Sequence, residues 1–345
     1  MLINKLIKKV EKLELDLKDK VVLTEAASGA YIVTPLLAAL AGAKVYAYSK
    51  TTPYGKVEEI FRNTKKLIRS CKKYKLNINF IEKITPEIIS QADVITNSGH
   101  LRPLTKDMLQ NAKDSMVIPL MYEAWEKRNN DMDFDYIRQR GFRIGATNER
   151  HPEVDVFNYL GDMAIKQIFD AGSCPYNNKF VLISNNDFGP FIAKVLAKMC
   201  SGLAVIDKDE NKAKYDLENI KWIGKFPNIS IPEEYKDSEA IIFTAYPFNQ
   251  NWIGLDTPIS AQDICSQFKS PLILRYAGDL DTQALSNLNI KYYPSIVKSG
   301  HMGILPSEIG LDPIIRLQSG GLKVGECLLK NTDSYKGVKI LDLMY

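Results

Sequence analysis

Short runs of aliphatic and β-branched residues alternate along this chain with longer stretches whose apolar residues recur every three to four positions. That alternation is the pattern of βαβ units and parallel sheets. Strands are expected at 21–23, 44–48, 76–81, 94–96, 116–120 and 142–144, with helices between most of them. A helix from about Tyr31 to Leu40 ends at Gly42, and a long helix over about 154–170 closes on Ala171-Gly172. A second series begins at Lys179, with strands at 180–183, 203–206, 220–223, 240–244, 272–275 and 291–293. The stretch 306–329 reads as partly helical. Leu2, Ile3, Leu6, Ile7, Val10 and Leu13, with lysines between them, form a short amphipathic helix. The expected fold class is α/β: two Rossmann/flavodoxin-like parallel-sheet domains with a cleft between them. The first covers 1–172, with 306–345 free to return to it, and the second, Rossmann-type, covers 173–305.

A chain of 345 residues suits two domains better than one core. The net charge of +4 is small for this length and makes no case for a nucleic-acid or membrane surface. The strongest basic run, Lys65, Lys66, Arg69, Lys72, Lys73 and Lys75, lies on a helical pattern and reads first as a solvated helix face. Five scattered cysteines, Cys71, Cys174, Cys200, Cys265 and Cys327, without a C-x-x-C pair, fit reduced thiols in the cytoplasm. No segment approaches the roughly 20 consecutive apolar residues of a membrane span.

In open parallel sheets ligands bind beyond the carboxyl ends of the strands. Asn97-Ser98-Gly99-His100-Leu101-Arg102 follow one strand, Tyr122-Glu123-Ala124-Trp125-Glu126 the next, and Thr147-Asn148-Glu149-Arg150-His151 the one after. In the second half, Tyr276-Ala277-Gly278-Asp279 and Ser299-Gly300-His301-Met302-Gly303 take equivalent places. All three histidines of the chain fall in these loops. Histidine exchanges protons near neutral pH, and arginine offers a fork for carboxylate or phosphate. Each loop taken singly also reads as merely exposed; the set together points to a ligand. The histidines lack metal-ligand spacing, so no metal is expected.

From about 92 to 310 the chain resembles the D-isomer-specific 2-hydroxyacid dehydrogenase superfamily. The resemblance is carried, in order, by Ala92-Asp93-Val94-Ile95, Ser98-Gly99 and Leu104-Thr105, then by Val117-Ile118, Asp131-Met132-Asp133, Arg140-Gly141 and Thr147-Asn148. Arg275-Tyr276-Ala277-Gly278-Asp279-Leu280-Asp281 with Ala284-Leu285, and Ser299-Gly300-His301-Met302-Gly303, complete it. Each match is weak; their shared order is the signal. The resemblance implies NAD-linked hydride transfer to or from a small 2-oxo or 2-hydroxy acid, with NADP less favoured. It makes Arg275 the clamp on the substrate carboxylate and His301 the acid-base residue. Backbone amides near Ser98, Gly99 and His100 would hold the carboxylate, with Arg102, Glu123, Arg150 and His151 as further substrate-binding candidates. Ser184, Asn186, Asp187, Phe188, Gly189, Asp207, Thr244, Tyr246 and Arg275 are the cofactor-binding candidates. A homodimer is implied as well.

Three departures matter. The family's Gly-x-Gly-x-x-Gly reads here Ser184-Asn185-Asn186-Asp187-Phe188-Gly189, so that only the last glycine remains. Asn186 adds bulk and Asp187 like charge where a diphosphate would lie, while Asp207 keeps the spacing of a ribose-binding acid. No acidic residue stands between Leu285 and His301, leaving Asp279, Asp281 or Glu308 to pair with the histidine. Glu25, Ser28, Lys50, Tyr54, Trp125 and Glu126 suggest, with the loop residues above, an elaborated first-domain pocket; Tyr54 and Trp125 also read as packing. Two alternatives stay open: an enzyme of altered chemistry on this scaffold, with tightly held NAD as an internal redox relay, or a cofactor-free binding or scaffold protein. Methyl transfer is disfavoured because the loop after 21–23 has one glycine and the next strand ends in Ser49-Lys50.

Overall fold

A computed structural model describes residues 2–53, 55–70 and 73–344. Tyr54, Cys71 and Lys72 lie outside the described residues. The chain divides into two compact units, Met1–Val156 with Gly310–Tyr345, and Phe157–Ile309.

Unit 1 carries six parallel strands: β1 (Val21–Glu25), β2 (Lys44–Tyr48), β3 (Asn77–Ile81), β4 (Val94–Ile95), β5 (Val117–Leu120) and β6 (Arg143–Thr147). They lie in the order β6-β5-β4-β1-β2-β3, and Leu341–Leu343 adds an antiparallel strand beside β6. Successive side chains of a strand point to opposite faces. Val22, Val45, Val94 and Val117 accordingly join one apolar layer with Leu36, Leu37, Leu322 and Leu328. Leu23, Ile95, Ile118 and Ile144 join the other with Ile137 and Phe142.

Unit 2 repeats this topology. Its strands β7 (Lys179–Ser184), β8 (Gly202–Asp207), β9 (Ile220–Lys225) and β10 (Ala240–Thr244) are followed by Leu272–Ala277 and Lys291–Tyr293. From one edge to the other, Lys291–Tyr293 and Leu272–Ala277 are followed by β10, β7, β8 and β9, all parallel. The strands β8 and β10 are buried along their whole length, as expected of parallel strands covered on both faces. Each fully buried Val, Leu or Ile there contributes about 1.5–3 kcal/mol. Both sheets have the 3-2-1-4-5-6 order of dinucleotide-binding folds, so the fold is α/β with two Rossmann-type parallel sheets. The order reverses between β1 and β4 in unit 1 and between β7 and β10 in unit 2, and a ligand crevice lies at such a reversal.

The expected helix over 154–170 begins later. Asp155 turns the chain with φ 51°, a short 3-10 turn spans Phe157–Tyr159, and the helix runs over Leu160–Asp170. Val154 and Val156 pack in the core of unit 1, whereas Phe157 and Leu160 pack in that of unit 2. The division therefore falls at Val156/Phe157 and not near 172. Gly161 lets this helix approach Phe188–Leu196 closely, since a Cβ there would stand 2.3 Å from Val195 Cγ2. The pattern did not predict a small sheet of Asn251–Gly254, Ile259–Ser260 and Asp279–Leu280. Strands of two to four residues carry too little periodicity to be read. No helix among the described residues is long and apolar enough to cross a membrane. The described cysteines, Cys174, Cys200, Cys265 and Cys327, are free thiols.

Candidate functional site

At the strand-order reversal of unit 1, Thr96 beyond β4 donates to Thr24 of β1 at 2.8 Å and shares a 2.7 Å hydrogen bond with Ser98. These buried hydroxyls tie the two strand ends together. Glu25 ends β1 and is 5 % exposed, and its Oε2 accepts the His100 backbone N–H at 3.0 Å. That amide belongs to the turn implied to hold a substrate carboxylate, and here it holds a carboxylate of the chain itself. The His100 ring lies 3.1 Å from Ser49 Oγ through Nδ1. Burial, with the nearby Lys50 charge, lowers its pKa. Arg102 donates from Nε and Nη2 to the side chain and backbone oxygens of Asn97, both at 2.9 Å, and pairs with Asp131 at 3.4 Å. Asn97 in turn donates to the Tyr122 hydroxyl at 2.6 Å. Three of the candidates, Ser98, His100 and Arg102, are thus each held by hydrogen bonds at this strand end, in three separate groups with Gly99 between Ser98 and His100.

The loops after β5 and β6 bring carboxylates to the same edge of the sheet. Arg150 donates to both Glu123 oxygens at 3.2 Å, and Trp125 Nε1 donates to Glu123 as well. Glu126 accepts the Glu123 backbone N–H at 3.4 Å. Burial, reinforced by the Glu123 charge, raises the Glu126 carboxyl from its ordinary 4.5 to about 7. Glu149 is 9 % exposed, and its carboxyl is raised well above the usual range, first by burial and then by the charges of Glu126 and Glu123. No described residue hydrogen-bonds or ion-pairs the Glu149 carboxylate. The hydroxyl of Tyr31 is also raised, to about 12, by burial and by the charges of Glu25, Glu149 and Glu126. Glu149 and Tyr31 were missed in the sequence. Tyr31 belongs to a turn that packs as a helix start, and nothing in the order Asn148-Glu149-Arg150 tells that Arg150 turns to Glu123 instead of to its neighbour.

His151 is a framework residue. It is 1 % exposed, its Nδ1 accepts the Glu153 backbone N–H at 3.1 Å, and Nε2 lies 3.1 Å from the Tyr335 carbonyl. With Nδ1 accepting, Nε2 carries the proton and donates. Both nitrogens are spent, which corrects the expectation that His151 meets substrate. Among the described residues no group of three His, Cys, Asp or Glu side chains stands close enough to hold a metal ion.

In unit 2 the loop after β7 is bonded to itself. Asn186 Oδ1 accepts the Phe188 N–H, the first amide of the helix Phe188–Leu196, at 3.0 Å, and its Nδ2 donates to Thr244 Oγ1 at 3.1 Å. Asn185 accepts the Tyr246 N–H at 2.7 Å and donates to the Tyr246 carbonyl at 3.1 Å. Ser184 Oγ accepts the Asn186 N–H at 3.3 Å. Phe188 packs edge-on against Phe157 and Tyr276. Gly189 has no room for a side chain: a Cβ would stand 2.3 Å from the Tyr215 hydroxyl and 2.6 Å from Ser184 Oγ. Asp207 ends β8 fully buried, and accepts from the Tyr215 hydroxyl, from Lys208 N at 2.6 Å and from Asn211 at 3.3 Å. Burial raises its pKa. A dinucleotide needs the helix-start amide for its diphosphate and the strand-end carboxylate for its ribose. Asn186 occupies the first and Tyr215 the second, so as they stand these residues do not fit the group. Sequence reasoning missed Tyr215, which lies in no strand-end loop.

Arg275 is 6 % exposed; its Nε donates to the Gly278 carbonyl at 3.0 Å and its Nη2 pairs with Asp279. Asp279 also accepts the Gly300 N–H at 3.1 Å and the Ser299 hydroxyl. Of the three acids considered for His301, Asp279 is thus the one tied to its loop. Asp281 instead caps the helix Thr282–Asn287 through Ala284 N at 3.0 Å, and Glu308 accepts Leu305 N at 2.7 Å.

Two Rossmann-type parallel sheets in one chain recur among solved structures. The A subunit of dipicolinate synthase from Bacillus subtilis matches with a TM-score of 0.58 at 12 % identity, over 92 % of this protein and 99 % of that one. NAD-dependent formate dehydrogenase from Staphylococcus aureus in complex with NAD matches at 0.52 and 12 % identity, over 94 % and 98 %. A D-lactate dehydrogenase from Treponema pallidum matches at 0.52 and 11 % identity, over 93 % and 100 %. The likeness includes two dehydrogenases and a synthase subunit, and at these identities it shows a shared fold. No family model matches the sequence, and no curated protein does.

Proposed function

We propose that the protein is a nicotinamide-dinucleotide-linked oxidoreductase, with the dinucleotide at the carboxyl edge of unit 2 and a small polar substrate at that of unit 1. The fold it has in common with an NAD-bound formate dehydrogenase and a D-lactate dehydrogenase supports this reading. One observation carries it: Gly189, with no space for a side chain, stands in the first turn of the helix Phe188–Leu196 that follows β7, and Asp207 ends the next strand. A carboxylate at that strand end favours NAD over NADP, whose additional phosphate it would repel. Binding requires Asn186 to release the Phe188 amide and Tyr215 to release Asp207, so the affinity expected is weak. Arg275, through Asp279, holds the Ser299-Gly300 turn and so positions His301, the residue assigned to proton exchange. A homodimer in the cytoplasm goes with this reading.

A second reading, a binding protein without cofactor, is favoured by the closure of the Ser184–Gly189 loop on its own side chains. Titrating the protein into NADH separates the two. A saturable blue shift of the nicotinamide fluorescence is expected from an oxidoreductase; no shift at millimolar NADH overturns that assignment and leaves the binding protein.

A further inference from the structure

The helix Val57–Ser70 of unit 1 carries its charge unevenly. Its acids, Glu58 and Glu59, stand in the first turn, and none follows from Ile60 to Ser70. Arg62, Lys65, Lys66 and Arg69 are all exposed. Arg62 stands three and four residues before Lys65 and Lys66, and Arg69 four and three residues after them; like charges at those spacings repel. Arg62 lies 3.9 Å from Glu59, while Lys65, Lys66 and Arg69 ion-pair with no described residue. Elsewhere on the surface, Lys166, Lys221, Lys225, Lys269 and Lys339 each meet a carboxylate. The four unneutralised cations line a groove of about 580 Å³. Phe61 gives the groove an apolar patch and packs on Phe80 of β3, with ring centroids 5.0 Å apart, and Lys65 lies over the same Phe80 ring at 5.3 Å. Glu58 and Glu82 line it where the helix starts and β3 finishes. β3 ends the strand order of its sheet, and no described strand pairs with its outer side.

We propose that this groove is a docking surface for an extended acidic segment of a partner protein, its carboxylates received by Arg62, Lys65, Lys66 and Arg69 and its main chain lying beside the open edge of β3. Side chains on one side of an extended chain recur about every 7 Å. The four cations span about 10 Å of helix, so two or three carboxylates of one segment neutralise them. A small molecule does not suit the place, because such sites enclose most of their ligand and the charged side chains of this groove are exposed. A nucleic-acid strand is charged at every residue and would carry that charge onto Glu58 and Glu82, whereas a peptide can place an apolar or basic residue there. The N–H and C=O groups of a sheet edge are matched by another main chain and not by phosphates. The surface belongs to unit 1 and stands whether or not unit 2 takes a dinucleotide.

The test uses the full-length protein and fluorescein-labelled peptides read by anisotropy: Glu-Thr-Glu-Val-Glu-Thr-Glu, the same peptide with glutamine for every glutamate, and the same with proline for the threonines and valine. The glutamate peptide is expected to bind saturably and the glutamine peptide not to bind, with affinity falling as salt rises. The proline peptide keeps the charge but loses three main-chain N–H groups, and should bind about fivefold more weakly or worse. The double variant Lys66→Glu with Arg69→Glu should weaken the glutamate peptide about tenfold or more. Its unfolding midpoint should be unchanged or raised, since like-charge pairs are removed from an exposed helix face, and this shows the variant folded. Absence of peptide binding, equal binding of the glutamine or proline peptide, or unchanged affinity in the folded double variant overturns the proposal. So does displacement of the glutamate peptide by a short oligothymidylate or inorganic triphosphate of equal affinity, which would make the groove a phosphate site. NADH titration of the same preparations reads the oxidoreductase assignment separately, so either can fail alone.

Discussion

The two units have the same strand order, yet the crevices at their reversals are filled in opposite ways. In unit 2, Asn185 and Asn186 span the gap from β7 to Thr244 and Tyr246 beyond β10, and each neutral donor there has an acceptor. In unit 1 the gap from β1 to β4 is bridged by Thr24, Thr96 and Ser98, and beside them stand carboxylates that outnumber their cations. One topology thus yields a satisfied amide network in one copy and an electrostatically unfinished site in the other. The difference lies entirely in which side chains follow the strands, as expected where function is grafted onto a common scaffold.

The largest effect should come from breaking the buried pair of unit 2. Asp279→Asn leaves the Arg275 guanidinium, 6 % exposed, without its counter-charge. A loss of about 3–5 kcal/mol in denaturant-derived stability is expected, and a change under about 1 kcal/mol would show the pair to be dispensable. Gly189→Ala drives a methyl into Tyr215 and Ser184, and should cost about 1–3 kcal/mol, read from the midpoint of chemical unfolding. Removing a carboxyl from unit 1 should do the reverse above neutral pH. The folded pKa of Glu126 is raised from 4.5 to about 7, so the stability the group contributes is present below 4.5 and is lost as pH rises to about 7. Glu126→Gln should therefore gain on the wild type across that window, by roughly 1–3 kcal/mol after discounting its partial exposure, and then level off. A difference flat with pH would remove the crowded-acid description of unit 1.

Most of the scaffold was legible in the sequence because buried parallel strands announce themselves as short apolar runs: 44–48, 240–244 and 291–293 were read with the bounds observed. What escaped was set by single residues or by partners distant in the sequence. Asp155 at φ 51° shortened the helix expected from Val154, and strands such as Asp279–Leu280 exist only through pairing with Asn251–Gly254. Loop position placed Glu123, Arg102 and His100 at one edge of the sheet, since strand ends lie there whatever their residues. It could not tell that His151 turns inward to Tyr335, that Tyr215 returns to cover Asp207, or that Arg150 leaves Glu149 without a partner. Those are choices between nearby hydrogen-bond partners, and residue order does not encode them.

The contrast between a closed and an open reversal is tested most directly by NADH affinity in the wild type and in Asn186→Gly. Removing the Asn186 side chain frees the Phe188 amide and costs only about a few tenths of a kcal/mol of helix capping. Tighter NADH binding in the variant, by about tenfold, is the predicted result. Equal or weaker binding in a folded variant would contradict it, because the side chain would then not be what closes unit 2.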